Sequence, residues 1–134
     1  MYHTIIIVGN VGKDAEMRYT PAGAAVASFS VATNRQYTAS SGEKVKETVW
    51  FRVSAWGKQA EICNQYVKKG MMVLVEGRLT ADPQTGNPRI WGDNDNPRAS
   101  FEVNANTVRF LSQRGEQSDN NDGDMLPPDD GIPF

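Results

Sequence analysis

Glu47–Trp56 reads ETVWFRVSAW, and its parity decides how the rest of the chain is understood. Successive side chains of a strand point to opposite faces. Val49, Phe51, Val53 and Ala55 therefore share one face, and Trp50, Arg52, Ser54 and Trp56 the other. The first set is an ordinary core face. The second is turned outward, where a strand normally shows Thr, Lys or Glu, yet it carries two tryptophans and an arginine. Such a surface can stack unpaired bases, because every base has a π-face and a guanidinium adds cation–π attraction and a phosphate contact. Two tryptophans on a strand also fit burial at a subunit contact or under a loop. Since the other parity already fills the core, a binding or interface surface is favoured.

Working outward, Thr4–Val11 (TIIIVGNV) is β-branched and apolar and predicts a first strand, interrupted at Gly9 and Gly12. Thr20-Pro21-Ala22-Gly23 is a turn signal. Ala24–Asn34 alternates, with Ala27, Phe29, Val31 and Thr33 on one face and Val26, Ser28, Ser30 and Ala32 on the other. Gln36–Lys44 is small and polar and reads as an exposed hairpin loop. After the quoted strand, Gly57–Lys69 predicts a helix with an apolar stripe of Ala60, Ile62, Cys63, Tyr66 and Val67, Lys68-Lys69 in the last turn and Gly70 as its C-terminal cap. Met71–Thr80 is a fourth strand. Ala81–Ala99, rich in Pro, Gly, Asn and Asp, reads as a long loop or an extended hairpin. Ser100–Phe110 alternates Phe101, Val103 and Ala105 against Glu102, Asn104 and Asn106, a fifth strand. Five strands with one helix between the third and fourth is the element order of an all-β OB-fold barrel, although other small β-barrels share it. The expected organisation is a barrel domain over residues 1–111, a disordered linker over 112–128 and a distinct tip over 129–134.

Charge divides the chain in the same way. All 14 Lys and Arg fall within residues 1–114 alongside 10 of the 16 acids; residues 115–134 hold no base and six acids, Glu116, Asp119, Asp122, Asp124, Asp129 and Asp130. Opposite signs suggest a body that meets a polyanion and a tail that meets something basic, against the plainer reading of a solvated surface and a solubilising tail. The bases around the aromatic face (Lys13, Arg18, Arg35, Lys44, Arg52, Lys58, Lys68, Lys69 and Arg78) favour a phosphate backbone over a sugar, which aromatic platforms also bind. Tyr37 and Trp91 are further exposed-aromatic candidates, with covering a local apolar patch as the alternative.

Catalytic chemistry finds little support. Cys63 is the single cysteine and His3 the single histidine. Cys63 sits in the helical apolar pattern as a small core residue, and His3 at an exposed terminus. No residue set suits a metal site, a nucleophilic relay or a cofactor. Gly9-Asn10-Val11-Gly12-Lys13-Asp14 is not a nucleotide loop: that motif needs four residues between its glycines and Ser or Thr after the Lys. With no basic leader and an apolar run limited to Ile5–Val8, neither a signal peptide nor a spanning helix is expected, and the cytoplasm is the expected compartment.

Several stretches together resemble the bacterial single-stranded DNA-binding proteins. They are Ile7–Asp14 with Glu16–Thr20, Trp50-Phe51-Arg52-Val53 with Trp56–Glu61, Tyr66–Gly70, Val75–Leu79, and the end Asp129-Asp130-Gly131-Ile132-Pro133-Phe134. The resemblance implies an OB-fold, a homotetramer, and wrapping of ssDNA without strong sequence preference in replication, recombination and repair. It implies stacking by Trp50, Trp56 and Tyr37, and phosphate contacts from Arg52, Lys58 and Lys69. It also implies docking of partner proteins by the acidic tip. The chain departs from the family after Leu79, where Thr80-Ala81-Asp82-Pro83-Gln84 stands in place of basic residues followed by a tryptophan; Trp91 is the candidate replacement. The alternatives are a primosome-type OB accessory acting through protein contacts, against which the Phe-ended acidic tip argues, and a small OB-fold enzyme or nuclease subunit, for which no catalytic cluster exists.

Overall fold

A computed structural model describes residues 1–112. The expectations for the linker and for the tip Asp129–Phe134 lie outside the described residues. In chain order the elements are β1 (Ile5–Val11), β2 (Glu16–Tyr19), β3 (Ala25–Thr38), β4 (Lys44–Trp56), α1 (Lys58–Tyr66), β5 (Met72–Leu79), β6 (Ile90–Asp93), β7 (Asn96–Ala99) and β8 (Phe101–Ser112).

Five of these strands close on themselves. β1 pairs antiparallel with β5, β5 with β8, β8 runs parallel to β4, β4 pairs with β3, and β3 returns to β1 at Asn10↔Ala32 and Val11↔Val31. This is the expected five-stranded OB barrel. Period-2 patterning fills it: Phe29 and Val31 from β3, Val53 and Ala55 from β4, Val73 and Val75 from β5, and Val103 and Ala105 from β8 are all buried in one core. Ala60, Cys63 and Val67, from α1 and the residue that follows it, join the same cluster.

Several local expectations are corrected. Gly9 does not interrupt β1, which runs through it to Val11. It sits where β1 crosses β3, and a Cβ there would run into the Ala32 carbonyl oxygen, so only glycine admits the close approach that shuts the barrel. β2 is an added edge strand on β3, in a stretch too short and polar to announce itself. The helix ends at Tyr66, earlier than its charge pattern suggests. Val67 turns extended (φ −80°, ψ 114°) and is buried, its N–H donating to the Cys63 carbonyl. Lys68 and Lys69 are thus beyond the helix, and Gly70 belongs to the following turn. Ile62 and Tyr66 are exposed rather than part of the core stripe, and Phe101 is exposed where the alternation of β8 predicted core. Of the two readings offered for Ala81–Ala99, the extended hairpin is the one found: β6 and β7 pair with each other as a separate two-stranded sheet.

One irregularity is resolved by a side chain. Opposite the Glu76/Gly77 register shift, Asn106 has no partner in β5. Gln59 of α1 fills the gap, its Nε2 donating to the Asn106 carbonyl at 3.0 Å and its Oε1 accepting from the Val108 N–H at 2.9 Å. A bulge leaves ladder groups unpaired, and the helix supplies what the neighbouring strand cannot.

Candidate nucleic-acid interface

The outer parity of β4 forms the middle of an exposed face. Paired residues of adjacent strands share a face, so the register lays out rows across the barrel wall. One row is Ala32↔Trp50, the next Ser30↔Arg52↔Glu102, then Ser28↔Ser54↔Asn104, and last Val26↔Trp56. The β3 residues in these rows are short, so nothing tall stands beside the indoles. Val26 and Ala32 are buried although they point away from the core, directly opposite Trp56 and Trp50. Trp50 and Trp56 remain 52% and 46% exposed, which leaves aromatic surface free for a ligand. Six residues apart on one strand, their Cα atoms are separated by about 20 Å, with Arg52 between them.

Each indole has its own seat. At Gly12 the chain passes beneath Trp50, and a Cβ there would lie 2.7 Å from Cζ3 and 3.0 Å from Cη2 of the ring. The Gly12 N–H donates to the Ser30 carbonyl at 2.9 Å, which fixes that loop against the face. Trp56 is held differently: its Nε1–H donates to Asn104 Oδ1 at 3.1 Å. Sequence pattern singles out neither Gly12 nor Asn104 for these roles.

An open groove of ≈ 420 Å³ runs beside Trp50 and Arg52, lined also by Lys13, Ser28, Ser30 and Ser100. Lys13 lies 3.7 Å from Glu16, a solvent-exposed pair of little energetic weight that leaves the ammonium available to another anion. The Lys69 backbone N–H donates to Asp14 Oδ1 at 2.8 Å, which draws the Lys68-Lys69 turn against the Lys13-Asp14 turn. Lys13, Lys68 and Lys69 are thereby brought to one end of the face. Lys58 opens α1 two residues after Trp56. Arg18 on β2 is opposite Val26, two strands and about 10 Å from Trp56 in the same row.

Other candidates lie farther off. Tyr37 is in β3 rather than in a loop, because β3 and β4 extend past the barrel as a long ribbon. Its register partner is Val45, so it belongs to the face opposite Trp50 and Trp56. Arg35 stacks on it at 4.9 Å and pairs with Glu47 at 3.5 Å. Lys44 stands at the far end of the ribbon, opposite Thr38. Arg78 shares the outer parity through Asn104 but lines a separate groove with Met1, Tyr2 and His3. His3 serves the fold, since its Nε2 accepts from the Leu79 N–H at 2.9 Å. Trp91 lies on the β6–β7 hairpin under Arg98, 5.5 Å from the ring centre. The hairpin's base is tied to the face by Arg89, 2.7 Å from Glu102, the residue opposite Arg52. Phe51 and Phe101 meet at 5.9 Å beside the main groove, an aromatic pair that the core parity concealed.

Burial pushes the Cys63 thiol from an ordinary 9.0 up to about 11, which makes it a poor nucleophile. Among the described residues no group of three or more His, Cys, Asp or Glu is placed to hold a metal ion. No helix among them is long and apolar enough to cross a membrane.

A barrel of this topology with an outward aromatic and basic strand defines an oligonucleotide-binding type of protein. Residues 2–111 match the single-strand binding protein family, and the chain belongs to that family. It is 34% identical over 134 residues to a single-stranded DNA-binding protein of Wolinella succinogenes, covering 99% of this chain and 78% of that one. With the single-stranded DNA-binding protein of Neisseria meningitidis serogroup A it shares 37% identity over 114 residues, 85% of this chain and 62% of the relative. Its fold matches the Plasmodium falciparum SSB solved in complex with ssDNA at a TM-score of 0.68 and 26% identity, covering 84% of this chain and 96% of that one.

Proposed function

We propose that this protein binds single-stranded DNA without strong sequence preference, bases stacking on Trp50 and Trp56 while Arg52, Lys13, Lys58, Lys68, Lys69 and Arg18 meet phosphates. The observation that carries the reading is the pair of half-exposed tryptophans on the outer face of β4, each seated by the fold, with an arginine between them. Stacking tolerates any base and cationic side chains track any backbone, so binding of this kind is sequence-independent. The relatives' names support the same substrate.

Lys44 extends the path along the outer face of the β3–β4 ribbon, Tyr37 with Arg35 meets the strand where it passes to the ribbon's other face, and Trp91 and Arg78 lie along the opposite side, so that the strand wraps the barrel. We further propose a homotetramer. Ile6 and Val8 on the outer face of β1 are exposed and adjoin Leu74 on β5, an apolar patch suited to a second copy. Residues 1–111 act as the binding domain and 112–128 as a linker. The tip Asp129–Phe134 docks replication, recombination and repair proteins, and the protein works in the cytoplasm at the nucleoid. Measuring oligo(dT) affinity for Trp50→Ala and Trp56→Ala tests the reading. Each substitution is expected to cost about 1–3 kcal/mol in a folded protein, and unchanged affinity in both would overturn it.

A further inference from the structure

We propose that Asn104 is a positioning residue for the Trp56 platform, its side-chain oxygen presetting the indole in the orientation that a base stacks upon. The inference rests on the reading of Trp56 as a stacking residue. The two tryptophans of the face are held by different devices. Trp50 is seated by shape, over a backbone position where a side chain would strike its ring. Trp56 ends β4 opposite Val26 of β3, which is buried although it points outward, and 46% of Trp56 is exposed. The orientation of its polar edge is set by one directed bond, Nε1–H to Asn104 Oδ1 at 3.1 Å.

That bond crosses the parallel β4–β8 pairing. Asn104 is 48 residues away and reaches β4 only because β8 runs parallel to it, with Ser54 and Asn104 side by side. The indole nitrogen is a donor only, and its single proton is taken by Asn104, which turns the ring's polar edge toward β8. The flat faces are then what remains for a ligand. Ordering a rotamer-rich side chain on binding costs affinity, and a ring held before the base arrives avoids most of that loss. Asn104 is itself exposed on the outer face, opposite Arg78, so replacing it leaves the core untouched.

The test uses the full chain. Asn104→Leu removes the acceptor at similar volume, and Asn104→Ala removes it without adding apolar surface. With Trp50→Phe and Trp91→Phe also in place, Trp56 is the sole tryptophan, and its time-resolved fluorescence anisotropy reports ring motion. Loss of Asn104 is expected to speed local depolarisation of Trp56 and to weaken oligo(dT) binding by about threefold, with thermal stability little changed. The same substitutions are then made with Trp56→Phe, which keeps a stacking ring and has no N–H. There, loss of Asn104 is expected to change affinity by less than about 1.5-fold, since residues that act through one another are non-additive. An equal loss in both backgrounds would show that Asn104 touches DNA by itself and would overturn the proposal. A loss in Trp56→Ala with none in either Asn104 variant refutes the positioning role alone. Wild-type affinity in Trp56→Ala refutes the stacking reading, and the role of Asn104 in binding with it.

Discussion

Gly12→Ala perturbs the binding face without removing any group that meets the ligand. A Cβ at this position would lie 2.7 Å from the far ring atom of Trp50, whereas ordinary contact begins at 3.4 Å, so the ring must withdraw by at least 0.7 Å. The atom struck is the outer end of an indole, which can yield by a small rotation within its rotamer well. The backbone itself is not strained, because Gly12 is not among the positive-φ residues. Replacing Gly by Ala at a compatible position changes stability by about 0.4–1 kcal/mol through the unfolded chain. The folded protein therefore survives, with its melting temperature moved by only a few degrees. Binding responds more strongly. If a stacked base is worth about 1–3 kcal/mol, displacing its platform by a fraction of a ring forfeits roughly 0.5–1.5 kcal/mol, or about 2- to 12-fold in affinity. The assay is an oligo(dT) titration of the variant beside its melting curve. Wild-type affinity with an altered Trp50 emission spectrum would refute the reasoning, since the ring would have moved without consequence.

Three further outcomes are expected. Arg52→Gln should lower the slope of log K against log salt by roughly 0.7, as loss of one phosphate contact to a single strand requires, while affinities for different base compositions fall together; an unchanged slope would make Arg52 a bystander. Native Cys63 should resist alkylation at pH 8, because its thiol titrates at about 11 rather than 9.0. A thiol raised on folding stabilises the native state fully below pH 9 and loses that contribution as pH rises towards 11, so the denaturation midpoint should fall across that window. Rapid stoichiometric labelling of the native protein at pH 8 would contradict its burial. Deleting Asp129–Phe134 should abolish binding to replication and repair partners and leave ssDNA affinity equal or slightly tighter at low salt, where the acidic tail's competition is least screened; a large loss of ssDNA affinity would show that the tip serves the body.

Period-2 alternation made the barrel strands and the outward tryptophans legible, because a half-buried strand has no other way to satisfy both core and solvent. What depended on partners distant in sequence was not legible. β2 is a strand because β3 offers an edge; Met17 and Tyr19 do alternate with Glu16 and Arg18, but four residues are too few to announce a strand without that partner. Tyr37 read as loop because Gln36–Lys44 is polar, yet β3 and β4 stay paired as far as Thr38↔Lys44, well beyond the apolar alternation. Lys68, Lys69 and Gly70 imitate a helix end that the core pre-empts by turning Val67 inward. The seats of the tryptophans depend on closure of the barrel. Gly12 meets Trp50 across β3, and Asn104 meets Trp56 across the parallel β4–β8 seam, contacts that no local pattern encodes.

The most direct test of the central claim is a tryptophan-fluorescence titration of the full chain with oligo(dT) and, separately, with duplex DNA of equal length. Bases stacked on Trp50 and Trp56 should quench the emission strongly and saturably, and only an unpaired strand can present base faces to the β4 surface. Strong quenching by the single strand with little response to the duplex is the predicted result. Equal quenching by both, or none by oligo(dT), would contradict the account.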